Sequence, residues 1–413
     1  MRSPVRAASA AATVVAALVL SACWPQPGQN PDRTAHNPSE TRLTTATVAG
    51  LTEAWRVDGT SQPVFVAGDV LAAGGSDLRR VDARTAAVEW TWTSPPQEGI
   101  GPTFQGTPVV ADGKVLATYS QYSAGGIFGQ TGQALDPATG TPVAGWSGGV
   151  TALRWPLVAT ETQVCPEGTC VLPQFGITDA STGVRVQGGW QPLSEMTIGE
   201  HAVYGGSFAY ENTSIPTVAA LPVDGTGTDD CGPPGFEILP CPTWSTPVGG
   251  AASPVVIGPG GDVVYAGTDA GAVVALDAAS GALLWSTPVG AAVTQAPALA
   301  DGVLYVGTGA GTLVAVDAST GAQLWSANVG SSAVATQPAV GGGGATAVVY
   351  AATSSGTVVA LAAAGCGAAT CSPLWSADAG APVVGGPAVS NGTLVVTTRV
   401  ADGVGELVGY RLP

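Results

Sequence analysis

Between Trp244 and Trp325 the apolar positions fall in short runs rather than at helical spacing. Val255-Val256-Ile257, Val263-Val264-Tyr265-Ala266, Val273-Val274-Ala275-Leu276 and Leu283-Leu284-Trp285 follow one another, with Gly, Asp and Ser between them. Four such runs with turn residues between them predict four short antiparallel strands. The last two runs are joined by a motif, Ala275, Asp277, Ser280, Gly281 and Trp285, which returns as Ala315, Asp317, Thr320, Gly321 and Trp325. A period of about forty residues marks a stacked or circular repeat architecture.

Each motif residue has a mechanical task. Asp277 can accept hydrogen bonds from the backbone of its own turn, and Ser280 can add to them. Gly281 suits a positive-φ position between the third and fourth strands. Trp285 offers a flat surface to the next unit, and the small Ala275 leaves room for such a ring. Looser copies read Asp82, Thr85 and Trp90, with Ala86 where Gly is expected; Ala134, Asp136, Thr139, Gly140 and Trp146; and Asp179, Thr182, Gly183 and Trp190. The units ending at Trp244 and Trp375 lack the Asp.

The chain closes with Gly405 to Leu412, which reads as a third strand without a fourth, while Leu51 to Trp55 reads as a fourth strand without a third. Pairing them closes a ring and removes an exposed sheet edge. Trp55, Trp90, Trp146, Trp190, Trp244, Trp285, Trp325 and Trp375 then act as blade-docking residues. The expected fold is all-β, an eight-bladed β-propeller of four-stranded antiparallel blades over residues 49–413. Seven blades result if the unit ending at Trp244 is an insertion.

Residues 1–22 have the form of a signal peptide: Arg2 and Arg6 precede an apolar run, Ala7 to Leu20, that is short for a membrane span. The run ends in Leu20-Ser21-Ala22-Cys23, which resembles the lipobox of bacterial lipoproteins and implies lipidation of Cys23. Residues 23–48, rich in Pro, Asn and Thr without hydrophobic period, are expected to be a flexible tether.

The 13 Lys and Arg, less Arg2 and Arg6, leave 11 basic side chains against 29 acidic ones, a net charge of −18. That balance argues against nucleic acid and against electrostatic docking to anionic lipid. Six cysteines besides Cys23 lie in close pairs, Cys165 with Cys170, Cys231 with Cys241 and Cys366 with Cys371. In an exported chain they read as disulfides, and of fifteen connectivities neighbour pairing is the expected one. Cys231/Cys241 and Cys366/Cys371 fall where the two Asp-less turns belong, so a disulfide would stand in for the turn hydrogen bonds. Cys165/Cys170 would staple the hairpin between the first two strands of its blade. With His36 and His201 the only histidines and no Cys-x-x-Cys, a metal site is not expected.

The Asp-x-x-Thr-Gly…Trp turns resemble the pyrroloquinoline-quinone (PQQ) type propeller repeat across nearly all of residues 49–413. The resemblance implies the propeller fold and spans several functions: quinone-dependent alcohol and sugar dehydrogenases, the propeller lipoprotein of the outer-membrane β-barrel assembly machinery, and sensor domains of bacterial receptor kinases. The dehydrogenases often keep a vicinal Cys-Cys and hold Ca²⁺ with carboxylate and amide oxygens. This chain has no Cys-Cys. A Pro recurs near the start of each innermost strand, at Pro63, Pro108, Pro156, Pro254, Pro297, Pro338 and Pro387. The residues before them, Gln62, Thr107, Trp155, Ser253, Ala296, Gln337 and Gly386, include no carboxylate. No cofactor, neither PQQ nor Ca²⁺, is therefore expected.

Departures from the repeat are where partners bind. Long second-to-third-strand loops are expected at Tyr119 to Thr131, with Tyr119, Tyr122 and Phe128, and at Tyr204 to Pro216, with Tyr204, Phe208, Tyr210 and Glu211. With Trp92 and Phe104 in the segment joining blades 1 and 2, and Arg154 and Trp155 near the channel mouth, they define a candidate binding face. The expected function is a membrane-anchored, exported, non-catalytic propeller, monomeric, that binds an envelope or membrane protein. Alternatives are a small-ligand sensor, for a sugar for instance, and a quinone-dependent dehydrogenase.

Overall fold

A computed structural model describes residues 24–95, 104, 106–122, 127–144, 146, 149–150, 152–164, 174–182, 184–190, 193–207, 217–223, 241–399 and 405–413. Cys23, Cys165, Cys170, Cys231, Phe208, Tyr210 and Glu211 lie outside them. The strands form eight blades around a channel, each an antiparallel meander running from the channel to the rim. Blade 5 is typical: Val256–Ile257 innermost, then Val263–Gly267, Ala272–Asp277 and, at the rim, Leu283–Pro288. Ring closure is as expected, with Thr52–Asp58 forming the rim strand of blade 8 by pairing with Gly405–Arg411. Among the described residues, blade 2's fourth strand is only a bridge between Leu135 and Pro142.

Hydrophobic cores lie between blades rather than within them. Tyr204, Val218, Ala220 and Trp244 of blade 4 pack on Val264, Val274 and Leu276 of blade 5. Middle strands are thus buried on both faces, which explains why they read as unbroken apolar runs instead of alternating ones. The turn motif behaves as read. The Asp277 carboxylate accepts from the Ser280 amide at 2.8 Å and its hydroxyl at 2.6 Å, and Asp317 does the same for Thr320 at 2.8 and 2.9 Å. Four of the tryptophans reach the next blade's turn. The Nε1–H of Trp55, Trp90, Trp244 and Trp285 donates to the carbonyl after the turn Asp, at Ala83, Pro137, Ala278 and Ala318.

The role of Ala275 is more specific than its size suggested. It stands between Tyr265 and Trp285 in one cross-strand row, and the two rings meet over it with centroids 6.0 Å apart. Tyr305-Ala315-Trp325 and Tyr204-Ala220-Trp244 repeat the row at 6.1 and 6.0 Å. A bulge just before the tryptophan, at Leu284 and Leu324, turns each ring into the gap between blades.

Two expectations are corrected. The segment Tyr119 to Thr131 is mostly a hairpin, because strands Lys114–Tyr122 and Ile127–Leu135 run long. Blade 3's second strand, Leu157–Val164, runs long beside it and pairs with it, as Gln163 with Phe128, so blades 2 and 3 merge into one sheet. The stretch holding Cys165 and Cys170 consequently joins the second and third strands, Leu157–Val164 and Gln174–Asp179, not the first and second. The larger correction concerns the tether. From Trp24 to Val48 the chain is packed against the ring, with Trp24, Ala35, Asn37, Glu40 and Leu43 all buried. The innermost strand of every blade has an inner edge whose N–H groups need partners. An aperiodic, polar, Pro-containing segment can supply carbonyls to several such edges in turn, which a regular strand cannot.

Candidate functional site: the channel and the blade rim

Residues 24–43 line the channel as an internal plug. The carbonyls of Trp24, Pro25, Asp32, Thr34 and Ala35 accept from Phe65, Val110, Ile257, Leu299 and Val340, at 2.7 to 2.9 Å. These donors sit on the innermost strands of blades 1, 2, 5, 6 and 7. His36–Asn37 continues as a short parallel strand along Val340 and Gly341. Blade 8 is reached by Asn37 Nδ2, which donates to Val389 at 2.9 Å, and blade 3 by the ion pair of Asp32 with Arg154.

Polar side chains complete the seal. Gln337 Nε2 donates to the carbonyls of Arg33 and Pro297 at 2.7 and 2.8 Å. The buried Glu40 carboxylate accepts from the amides of Arg42, Leu43 and Gly392 at 2.7, 3.0 and 2.8 Å, so its lone pairs are engaged. Beside the plug a cavity of about 10 Å³, lined by Trp24, Ala35, Gln62, Pro63, Gln337 and Pro387, has room for one water.

The proline rule for the inner ring holds at Pro63, Pro108, Pro254, Pro297 and Pro338, each at most two residues before its innermost strand. It fails at Pro156, which lies in the turn between the first and second strands of blade 3, Ala152–Arg154 and Leu157–Val164. Trp155 and Arg154 therefore stand at the end of the ring opposite the Tyr122–Ile127 connection, because Leu157 and Val164 are the two ends of one strand and Val164 pairs with Ile127. Arg154 also donates to the Ile198 carbonyl at 2.7 Å, so it serves the plug rather than an outer face.

The aromatic positions divide. Trp92, Phe104 and Tyr119 pack on one another, at 6.0 and 5.8 Å from Trp92, with Tyr119 buried. Tyr204 is buried against Trp244 and unavailable at a surface. Tyr122 and Phe128 pair across the tip of the long hairpin. Trp155 and His201 are exposed. Among the described residues one acidic trio, Asp69, Asp82 and Glu89, is close enough to share an ion. Arg80 already pairs there with Asp69 at 2.6 Å and Glu89 at 3.0 Å.

The rim holds what sequence reasoning only half found. Cys366 and Cys371 are disulfide-bonded, with Cα atoms 5.7 Å apart, and Cys241 is also in a disulfide. The first bridge shapes a loop that does more than replace its own turn. Ser326, on the rim strand of blade 6 (Gln323–Asn328), donates to the Ala369 carbonyl at 2.9 Å, and its carbonyl accepts from Cys371 at 2.8 Å. Thr370 thus lies parallel to Ser326 as a one-residue added strand.

A family model described as outer membrane protein assembly factor BamB matches residues 242–367, from blade 4's rim strand into the Cys366 loop. The quinohemoprotein alcohol dehydrogenase of Comamonas testosteroni superposes with a TM-score of 0.66 at 16% identity, over 96% of this chain and 81% of that one. A europium-containing methanol dehydrogenase gives 0.66 at 15% identity, over 95% and 98%. BamB from Moraxella catarrhalis gives 0.56 at 15% identity, over 87% and 97%. No curated protein sequence matches the chain. The resemblance read from the turn motif therefore holds at the level of fold: this is an eight-bladed propeller of the type shared by BamB and the quinone-dependent dehydrogenases.

Proposed function

We propose that this chain is a non-catalytic propeller, exported and anchored through Cys23, that binds an envelope or membrane protein on its outer surface. The observation that carries the reading is the plug: the channel, where propellers commonly hold small ligands, is taken up by residues 24–43 of the chain itself. The likeness of blades 5 to 7 to an assembly factor supports a protein as the partner.

Among the described residues, the channel does not offer the quinone-dependent alternative a clear donor set. A PQQ–Ca²⁺ site needs several oxygen ligands on one ion. Of the described residues, the plug carboxylates Asp32 and Glu40 are already held by Arg154 and by three backbone amides. The inner-ring residues Gln62, Thr107, Ser253 and Gln337 offer neutral groups, and Gln337 is engaged by the plug.

Anchoring has a geometric corollary. Trp24 is buried, so an acylated Cys23 would have no linker, and the ring would lie flush against the membrane. Crosslinking the protein in its own cells tests the reading. The expected result is one reproducible protein partner at the envelope. Dye reduction by the purified chain with added PQQ and Ca²⁺, and no partner, would overturn it.

A further inference from the structure

We infer that the rim strand of blade 5, Leu283–Pro288, is a docking edge for an extended, uncharged segment of a partner protein, added parallel to it as a further strand. The inference rests on the binding reading above and names where and how the partner is held.

The intramolecular clip on blade 6 shows what such an edge accepts. There Ser326 offers both its N–H and its C=O outward, and Ala369-Thr370-Cys371 takes both. Under that cover Trp325 and Ala327 are buried. Blade 5 presents the same register: Ser286 opposes Val274 as Ser326 opposes Val314, so its N–H and C=O also point away from the blade. Leu283–Pro288 is the last strand of its sheet, and no segment lies along it among the described residues.

Rim strands are normally protected by charge, shortness or cover. Glu89 protects blade 1, Asp378 blade 7, and Glu53 with Arg56 blade 8. Blade 4's rim strand has only four residues, and blade 6 has the clip. Blade 5's six-residue strand has none of these, and its Leu283 and Leu284 are 53% and 51% exposed. The matching chemistry is that of the clip, small uncharged residues in extended form with one hydrogen-bonded residue on Ser286; the exposed Leu283 and Leu284 add room for an apolar side chain that the clip itself lacks, since Leu324 stays exposed under it.

The probe is a disulfide-closed synthetic peptide of residues Ala364 to Pro373, titrated onto the intact oxidised chain. Amide exchange is expected to slow at Ser286, about sixfold when free peptide reaches five times its Kd. Leu284→Asp should abolish the effect and Leu324→Asp should leave it. Saturating peptide without protection of Ser286, or protection that survives Leu284→Asp, would overturn the inference. So would a dimer in sedimentation that Leu284→Asp dissolves, since the occupant would then be a second copy. In cells, a photo-crosslinker at position 284 should capture the partner through one extended segment. Capture at other positions but never at 284 removes this edge and leaves the proposed function standing. No capture anywhere removes the proposed function itself.

Discussion

Gly281 has φ of +70°, and a Cβ added there would lie 2.5 Å from the Trp244 ring. Two costs coincide, the left-handed backbone and the overlap with a docking tryptophan. Gly281→Ala should destabilise by about 2–4 kcal/mol. Blade 1 offers the converse, because Ala86 holds φ of +62° in the equivalent turn. Ala86→Gly should gain up to about 1 kcal/mol, strain relief less the entropy of glycine. Denaturant midpoints of the two variants check both signs. The turn aspartates add a pH term. Hydrogen bonds from Ser319 and Thr320 hold Asp317 down to about 2, and Ser280 lowers Asp277 likewise. A carboxylate depressed in the folded state contributes stability that is complete above its unfolded value and lost as pH falls through the folded one. For Asp317 that window runs from 3.8 down to about 2. Thermal midpoints should fall across it, and Asp317→Asn should flatten the fall.

At the scale of the strand and its turn, much was legible and the reasons are local. Asp277, Ser280 and Gly281 answer to a turn that needs an acceptor and a positive φ, and both requirements sit within five residues. The row Tyr265-Ala275-Trp285 was half legible: the alanine and tryptophan share a hairpin, but the tyrosine joins them only through register with another strand. Pro156 misled because a proline fits the turn after an innermost strand as well as its beginning, and nothing nearby in the chain separates the two. The Cys366 loop was placed correctly as a turn substitute, while its grip on Ser326 depends on a neighbouring blade. That grip is testable. Replacing Cys366 and Cys371 with serine should raise hydrogen exchange at the amides of residues 326 and 371 while leaving Ser286 unchanged. Equal exchange with and without the bridge would show that the loop holds the edge unaided.

The ring as a whole is closed twice, at its rim by the pairing of Thr52–Asp58 with Gly405–Arg411, and at its centre by residues 24–43. The count of blades was readable from the tryptophans, but the central closure was not. Its contacts join residues as far apart as Asn37 and Val389, and they use carbonyls, which no residue type advertises. Deleting residues 24–43 should leave inner-strand amides in five blades without their carbonyl partners, with loss of the core around Trp24 and Leu43. The expected outcome is a lowered thermal midpoint with the far-ultraviolet β signature retained. An unchanged midpoint would mean that the rim closure suffices.

The plug also determines how the molecule bears a load. A pull at residue 24 enters at the axle and must first release the bonds that residues 24–43 make to the innermost strands, blade after blade. Without the plug the same pull would reach Thr52–Asp58 first, a rim strand whose bonds to Gly405–Arg411 could open one after another like a zip. A ring held by its hub resists being peeled from its N-terminal side, and force spectroscopy on chains pulled from residue 24 and from residue 52 would separate the two responses.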